Sequence, residues 1–378
     1  MNGNTPSRRA LITSASLFAL GATAGILTGC SPSAEPAVST TYPSAVKRGS
    51  TLKVYSWADY ISPANIKAFE TTTGVKVSVD AYASSEEAVS KLRLTAGTGG
   101  YDLVVMDGAY LPQLVKAKAI LPWDKARLKG LSGLSPTFVG KAWDPRNEFG
   151  IPKSGGSTGY VWDSAVVTRP PASWNDFYAD FADPAVRGRT SVIDGAPSFV
   201  GSYFWGNGIS DQTTKAADYQ AAQAYFAKRV LPHLKEFNSY PRAEIASGST
   251  VLAQAFTGDA RGAMMDGPKT LRFALGSPRT DLYVDHWVLP AGTRNPSAAH
   301  AFVNFLLTPK AAAAETQFHG YYTGVVASKD VLPPNLPFRE LVFFDEGIPA
   351  DRFVPSELTS ARKQSVATFQ RLKALAAK

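Results

Sequence analysis

A chain of 378 residues that is 44% apolar and 19% charged has the composition of a globular protein, not of a disordered or collagen-like one. A single Cys excludes a disulfide framework and a Cys-rich zinc site, and the four scattered His (His233, His286, His300, His319) form no HExxH or HxH pair, so neither a metal nor a cofactor is expected. The net charge of +8 comes without a Lys/Arg block and is no footprint for nucleic acid.

The chain opens with Arg8 and Arg9 before an apolar run over residues 10–27 that ends in Leu27-Thr28-Gly29-Cys30. A basic start, an apolar core and a small-residue boundary make a secretory signal peptide. Leu-Thr-Gly-Cys resembles the bacterial lipobox, in which the Cys is lipidated and becomes N-terminal after cleavage. The sole Cys of the chain stands at that boundary. Ser7-Arg8-Arg9-Ala10-Leu11 also resembles a twin-arginine export signal. A permanent membrane helix is the rival, and the Gly and Thr that interrupt the run argue against it. Residues 1–29 are therefore expected to be a lipoprotein signal peptide. Residues 30–50, rich in Ser, Pro and Ala, read as a tether holding a globule off the cell membrane. The remainder has the length of about two domains.

Order is expected from Thr51. Leu52 to Tyr55 alternates as a strand, Ser62-Pro63 caps and opens a helix with Ile66 and Phe69 on one face, and residues 75–79 alternate as a second strand. Ser84-Ser85-Glu86-Glu87 starts a helix with Val89 and Leu92 inward. Residues 101–106 form a buried-type strand, followed by a helix carrying Leu111, Leu114 and Val115. Residues 145–152 read as loop and lead into Gly155-Gly156-Ser157-Thr158-Gly159, a flexible crossover, before a strand at 160–162. A short helix is expected at 174–181 and a strand at 191–194. Helices follow near Val200 and over 218–228, then a small-residue strand at 261–265. Residues 281–289 alternate, with Asp285 and His286 interrupting the apolar positions. Residues 296–307 form an amphipathic helix, and residues 360–376 a closing helix with Val366, Phe369, Leu372 and Leu375 inward. Strands alternating with helices predict an α/β fold with a mainly parallel sheet.

Three stretches in this order resemble one family: Val54-Tyr55-Ser56-Trp57-Ala58-Asp59-Tyr60-Ile61, Tyr101-Asp102-Leu103-Val104-Val105 and Ala301-Phe302-Val303-Asn304-Phe305-Leu306-Leu307. Together they resemble the spermidine/putrescine-binding periplasmic proteins, the solute receptors of ABC importers. The Tyr-x-Trp-x-x-Tyr piece is the most specific. The resemblance implies a two-lobe periplasmic-binding-protein-like fold with a hinged cleft, lobe one from 51–156 and 284–327 and lobe two from 157–283 and 328–378. It implies a monomer without catalytic activity or cofactor that closes on a small-molecule solute, with ABC permease subunits as partners.

A polyamine carries ammonium groups on an alkyl stem, so its capture needs carboxylates and aromatic walls. By the resemblance, Trp57 and Tyr60 line the cleft, Phe256 and Tyr283 stand at family Trp positions, and Asp285 stands at the carboxylate that faces an amine. Asp285 also interrupts an otherwise apolar strand, where an unpaired charge is costly. The alternative is a crossover Asp held by backbone N–H groups. Met106-Asp107-Gly108-Ala109-Tyr110 replaces a family stretch with Ser and Tyr ligands, so Asp107 is a candidate carboxylate and Tyr110 a candidate wall. The two family acids of lobe two fall near Gly195 and Ser198 and are missing, which leaves a second amine dependent on Asp107 or Asp194. Trp162 and Trp174 read as structural.

Rival readings are a same-fold receptor for an anion, zwitterion or sugar, with Arg242, Lys269 or Arg352 in the cleft, and a lipid-anchored surface adhesin. Gly155-Gly156-Ser157-Thr158-Gly159 fits the G-x-S-x-G pattern of a serine hydrolase, but Pro152 before it and a strand after it do not suit a nucleophile elbow.

Overall fold

The computed structural model describes residues 45–95, 100–357 and 359–377, so the expected signal peptide, Cys30 and most of the expected tether lie outside the described residues. Strands β1 (Thr51–Trp57), β2 (Lys76–Tyr82), β3 (Leu103–Asp107), β4 (Ile120–Leu121) and β5 (Gly150–Gly156) begin a first sheet. Strands β6 (Thr158–Asp163), β7 (Thr190–Val192), β8 (Glu236–Phe237), β9 (Leu252–Phe256) and β10 (Leu271–Leu275) form a second, in the order β10-β6-β9-β7-β8. The chain then returns: β11 (Thr280–Pro290) and β12 (Phe353–Pro355) complete the first sheet, ordered β12-β11-β3-β1-β2, with β4 and β5 also on β11. β1 runs parallel to β2 and β3, while β11 is antiparallel to β3 and β5. The result is the two-lobe α/β fold.

Local chemistry explains the first lobe's elements. Helix Pro63–Thr73 has Pro at its first position, Ser62 Oγ accepting from Asn65 N at 3.4 Å, and a left-handed Gly74 (φ 72°) at its end. At helix Ser85–Leu94, Ser84 Oγ accepts from Glu87 N at 3.1 Å and the Glu87 carboxylate accepts from Ala83 N at 3.0 Å. Residues 103–106 of β3 are all apolar because both faces of the strand are covered there. Leu103 and Val105 pack with Phe69 and Phe302, while Val104 and Met106 pack with Leu111 and Leu114. Helix Pro296–Leu306 presses Phe302, Val303 and Leu306 into the first of these cores.

The second lobe has a dense aromatic core on one face of its sheet. Tyr160, Trp174, Phe177, Phe199 and Phe226 are fully buried there, and helix Ser360–Ala376 closes it with Phe369 and Leu372. The opposite face is thin, with Ala253, Ala255, Ala260 and Ala263 in contact. Leu332, Leu336, Val342 and Phe343, from a stretch assigned by sequence to lobe two, pack in the first sheet's core.

The chain passes between the sheets at Ser157, at residues 276–279 and again at residues 356–359, and hydrogen bonds tie the first two passages together. Asp281 accepts from Thr158 N at 2.7 Å and Thr158 Oγ1 at 2.8 Å, and Thr280 Oγ1 donates to Thr158 O at 2.6 Å. Asp281 is buried, which pushes its carboxyl up to about 6 despite these donors.

Several sequence expectations need correction. The Gly-rich run is not a flexible loop. Residues 150–156 are a fully buried strand, and its glycines are there because neighbours sit where a Cβ would go: at Gly155, Phe138 would lie 2.7 Å away. Residues 261–265 are not a strand but belong to helix Thr257–Asp266, and the strand is β9 just before it. β2 alternates as expected but buries little, because it is the sheet's edge. In the closing helix, Val366 and Leu375 are exposed, and Ala361, Ser365 and Thr368 accompany Phe369 and Leu372 inward.

A Cβ on Gly159 would lie 2.1 Å from the backbone oxygen of Ala274 on β10, an atom that cannot rotate away. Gly159→Ala is expected to lower stability by about 1–3 kcal/mol in urea unfolding. An unchanged midpoint would contradict this packing.

Candidate functional site

The carboxyl ends of β1, β2, β3 and β9 converge where the crossovers leave the sheets, the place where open α/β sheets present side chains to a ligand. Trp57 ends β1, Tyr82 ends β2, Asp107 ends β3 and Phe256 ends β9. Strand β11, beside β3 in the first sheet, contributes Tyr283 and Asp285.

Asp285 is opposite Asp107 across the β11–β3 ladder and opposite Ser154 on β5, so the two carboxylates share one face of the sheet. Asp285 is only 6% exposed. Burial, then the charge of Asp107, push its carboxyl up to about 7, against the pull of hydrogen bonding from Tyr60 and Trp57 and the charge of Lys153. Asp107 Oδ1 also accepts from Ala109 N at 3.0 Å, capping the short turn that follows β3. Burial raises Asp107 as well, and Arg362 opposes that shift.

Three of the expected aromatic residues, Phe256, Tyr283 and Tyr60, form a row linked through Tyr321. Phe256 meets Tyr283 edge-on with ring centres 5.2 Å apart, Tyr283 lies 6.4 Å from Tyr321, and Tyr321 lies 5.8 Å from Tyr60. Trp57 packs on Tyr82 at 4.4 Å. The row runs from the end of β9 in the second sheet to the turn after β1 in the first. Tyr110 is placed differently from a free wall: it is buried, its hydroxyl donates to Glu86 and accepts from the Arg362 guanidinium at 3.1 Å. Asp194 is paired with Lys373 at 2.8 Å.

Sequence reasoning did not find Lys153, Glu315, His319, Tyr321 or Asp259. Lys153 is buried behind Tyr60, its ammonium 3.7 Å from the centre of that ring and 3.6 Å from Glu315. Burial lowers Lys153 to about 8. Glu315 also accepts from Ser62 N at 2.9 Å and Asn65 Nδ2 at 2.8 Å, which locks it onto the helix after β1. His319 contacts Ser154 Oγ at 3.3 Å, and burial keeps its ring neutral. Tyr321 follows the left-handed Gly320 (φ 87°) and packs so closely on Gly258 that a Cβ there would lie 2.3 Å from the ring. The signal for it was the Gly-Tyr-Tyr turn after an Ala-rich helix, visible in the sequence but without periodicity to mark it.

The rival chemistries find no support in this geometry. Ser157 joins strand to strand and its hydroxyl donates to Thr280 Oγ1 at 3.3 Å, so it is not a nucleophile on a strand-to-helix turn. Arg242 pairs with Asp266 at 2.7 Å, Arg352 bonds the carbonyls of Leu275 and Gly276 at 3.2 Å, and Lys269 is exposed. Among the described residues no group of three His, Cys, Asp or Glu could hold a metal ion.

The profile of the bacterial extracellular solute-binding protein family matches residues 64–335. The chain is 29% identical over 302 residues to the spermidine/putrescine-binding periplasmic protein of Escherichia coli K12, covering 78% of this chain and 83% of that one. It is 26% identical over 333 residues to the putrescine/agmatine-binding protein of Pseudomonas aeruginosa, covering 84% and 90%. The crystal structure of a spermidine/putrescine ABC transporter substrate-binding protein, PotD of Streptococcus pneumoniae, has the same fold, with a TM-score of 0.75 at 22% identity over 86% of this chain and 99% of that one.

Removing one partner of a buried ion pair leaves the other charge uncompensated. Glu315→Ala is therefore expected to destabilise the protein by about 3–5 kcal/mol in chemical denaturation. Lys153→Met combined with Glu315→Leu is expected to recover part of that loss. A single variant as stable as the parent would show that the pair carries no charge.

Proposed function

The chain belongs to the bacterial extracellular solute-binding proteins, and from that membership we propose that it captures a short aliphatic polyamine between its lobes for delivery to the permease subunits of an ABC importer. The observation that carries this reading is Asp285, a buried carboxylate beside a second carboxylate and a row of aromatic rings, with no ion pair of its own among the described residues. Such a group is costly to ionise alone, and an ammonium removes the cost. The names of the relatives support a polyamine over an anion or a sugar.

In this reading Trp57, Tyr60, Phe256 and Tyr283 hold the alkyl stem and the faces of the ammonium groups, each well-placed ring contributing about 0.5–2 kcal/mol. Asp107 adds negative potential beside Asp285. Tyr110, tied to Glu86 and Arg362, borders the site without forming its wall. Lobe-one groups bind first, and contact with the second lobe then favours the closed form, since a solute shifts the open–closed balance only by its differential affinity for the two. The crossover ties of Thr158, Thr280 and Asp281 are the hinge, which puts the lobe boundaries at Ser157 and residues 276–279. Export with lipidation at Cys30, leaving the binding domain tethered to the cell membrane as a monomer, rests on the sequence motif.

Asp285→Asn is expected to weaken 1,4-diaminobutane binding by about 2–5 kcal/mol in calorimetry, and unchanged affinity would remove the residue from the site. The pH dependence has a definite sign. Below about 7 the Asp285 carboxyl is largely protonated, and an arriving ammonium has to displace that proton. Affinity should therefore rise between pH 5 and 7, by up to about tenfold per unit, and level off above. A flat or falling profile would contradict the assignment.

A further inference from the structure

We propose that Arg362, in the first turn of helix Ser360–Ala376, is the positioning residue that holds the second lobe shut over a bound solute, by clasping Tyr110 and through it Glu86 of the first lobe. The inference rests on the amine reading above and concerns how long the solute is kept once the lobes have closed.

Each member of the set is fixed by its own lobe. Helix Ser360–Ala376 belongs to the second. Phe369 and Leu372 lie in that lobe's aromatic core, the Tyr219 hydroxyl donates to Ala361 O at 3.0 Å, and Arg371 donates to Gln223 Oε1 at 2.8 Å. Lys373, further along the helix, pairs with Asp194 at 2.8 Å. Tyr110 packs in the first lobe's core with Leu111 and Leu114 and is 4% exposed. Glu86 is in the first turn of helix Ser85–Leu94 on the same lobe. Arg371 and Lys373 bond within lobe two, whereas Arg362 crosses. Its Nη2 donates to Tyr110 Oη at 3.1 Å, and its guanidinium carbon lies 5.6 Å from the centre of the Tyr110 ring.

A solvated ion pair between the lobes would contribute little, since water competes for both charges. The arrangement here differs. The Tyr110 hydroxyl donates to the Glu86 carboxylate and accepts from the guanidinium, so both of its hydrogen bonds have an ionised partner, and the tyrosine itself is out of water. Because its two ends ride on different lobes, the bond is made on closure and broken on opening.

The tie also reaches the solute site. Asp107 caps the turn Gly108–Tyr110 by accepting from Ala109 N at 3.0 Å, so Arg362 grips the turn that Asp107 begins. The guanidinium charge opposes the rise that burial imposes on the Asp107 carboxyl. A closed second lobe therefore favours an ionised Asp107, and an ionised Asp107 beside Asp285 favours a bound ammonium. A guanidinium this near also repels an ammonium, so the sign of its effect on binding separates a tie from a barrier.

The test is stopped-flow release of 1,4-diaminobutane, followed by tryptophan fluorescence and paired with calorimetric affinities, on the parent protein, Arg362→Gln, Tyr110→Phe, the double variant and Arg371→Gln. Arg362→Gln and Tyr110→Phe are each expected to release the diamine about tenfold faster or more, with association within about threefold of the parent. The double variant should release it no faster than the faster single one, since either change breaks the same tie. Arg371→Gln, on the same helix but bonded to Gln223 and Thr368 of its own lobe, should release at the parent's rate. Release within about twofold of the parent in Arg362→Gln, tighter binding in that variant, effects that multiply in the double variant, or equally fast release in Arg371→Gln would overturn the tie and leave the amine reading intact. A parent protein that binds no diamine would overturn the amine reading, and the tie's role in holding an amine with it.

Discussion

A carboxylate held out of water next to another carboxylate is the constraint around which this molecule is organised. Asp285 and Asp107 are cross-strand neighbours on one face of the first sheet, and in an ordinary sheet such a pair is unfavourable. β11 brings them together because it must pair with both β3 and β5 while connecting the lobes. The surrounding rings exclude water and so raise the cost of ionisation further. A site with this electrostatic debt is poorly suited to anions and well suited to a cation that arrives with its own apolar stem.

The resident cation next to Asp285 relieves it only in part. Lys153 is buried under Tyr60, but its nearest carboxylate is Glu315, which two donors from the first helix hold in place. The pair holds the Lys153 ammonium against one face of the Tyr60 ring. Tyr60 also hydrogen-bonds to Asp285, which lowers that carboxyl. The crossovers between the sheets are tied elsewhere, by the hydrogen bonds of Thr158, Thr280 and Asp281.

What the sequence made legible follows from how local each signal is. Ser62-Pro63, Ser84 with Glu87, and the apolar run of β3 are short-range patterns, and their elements stand where expected. Trp57, Tyr60 and Asp285 could be grouped because one motif and one charge in an apolar strand marked them. The glycine run at 155–159 misled because Gly signals a turn when nothing is known of its neighbours, whereas here Phe138, Tyr283 and Ala274 occupy the space. Residues 261–265 misled because a short run of small and apolar residues has no period that separates strand from helix. Glu315, Tyr321 and Asp259 were invisible for a different reason. Each acts through a partner far away in the chain, as Asn65 does with Glu315, and a single sequence contains no trace of such pairings.

The central claim is that Asp285 is close to neutral until a cation reaches it. Its carboxyl carbon can be followed directly by NMR in protein labelled at aspartate, with Asp285→Asn to assign the signal. Without amine the signal should titrate near pH 7, and saturating 1,4-diaminobutane should draw the midpoint below about pH 5. A carboxyl already ionised at pH 5 in the free protein, or a midpoint that the diamine leaves in place, would contradict it.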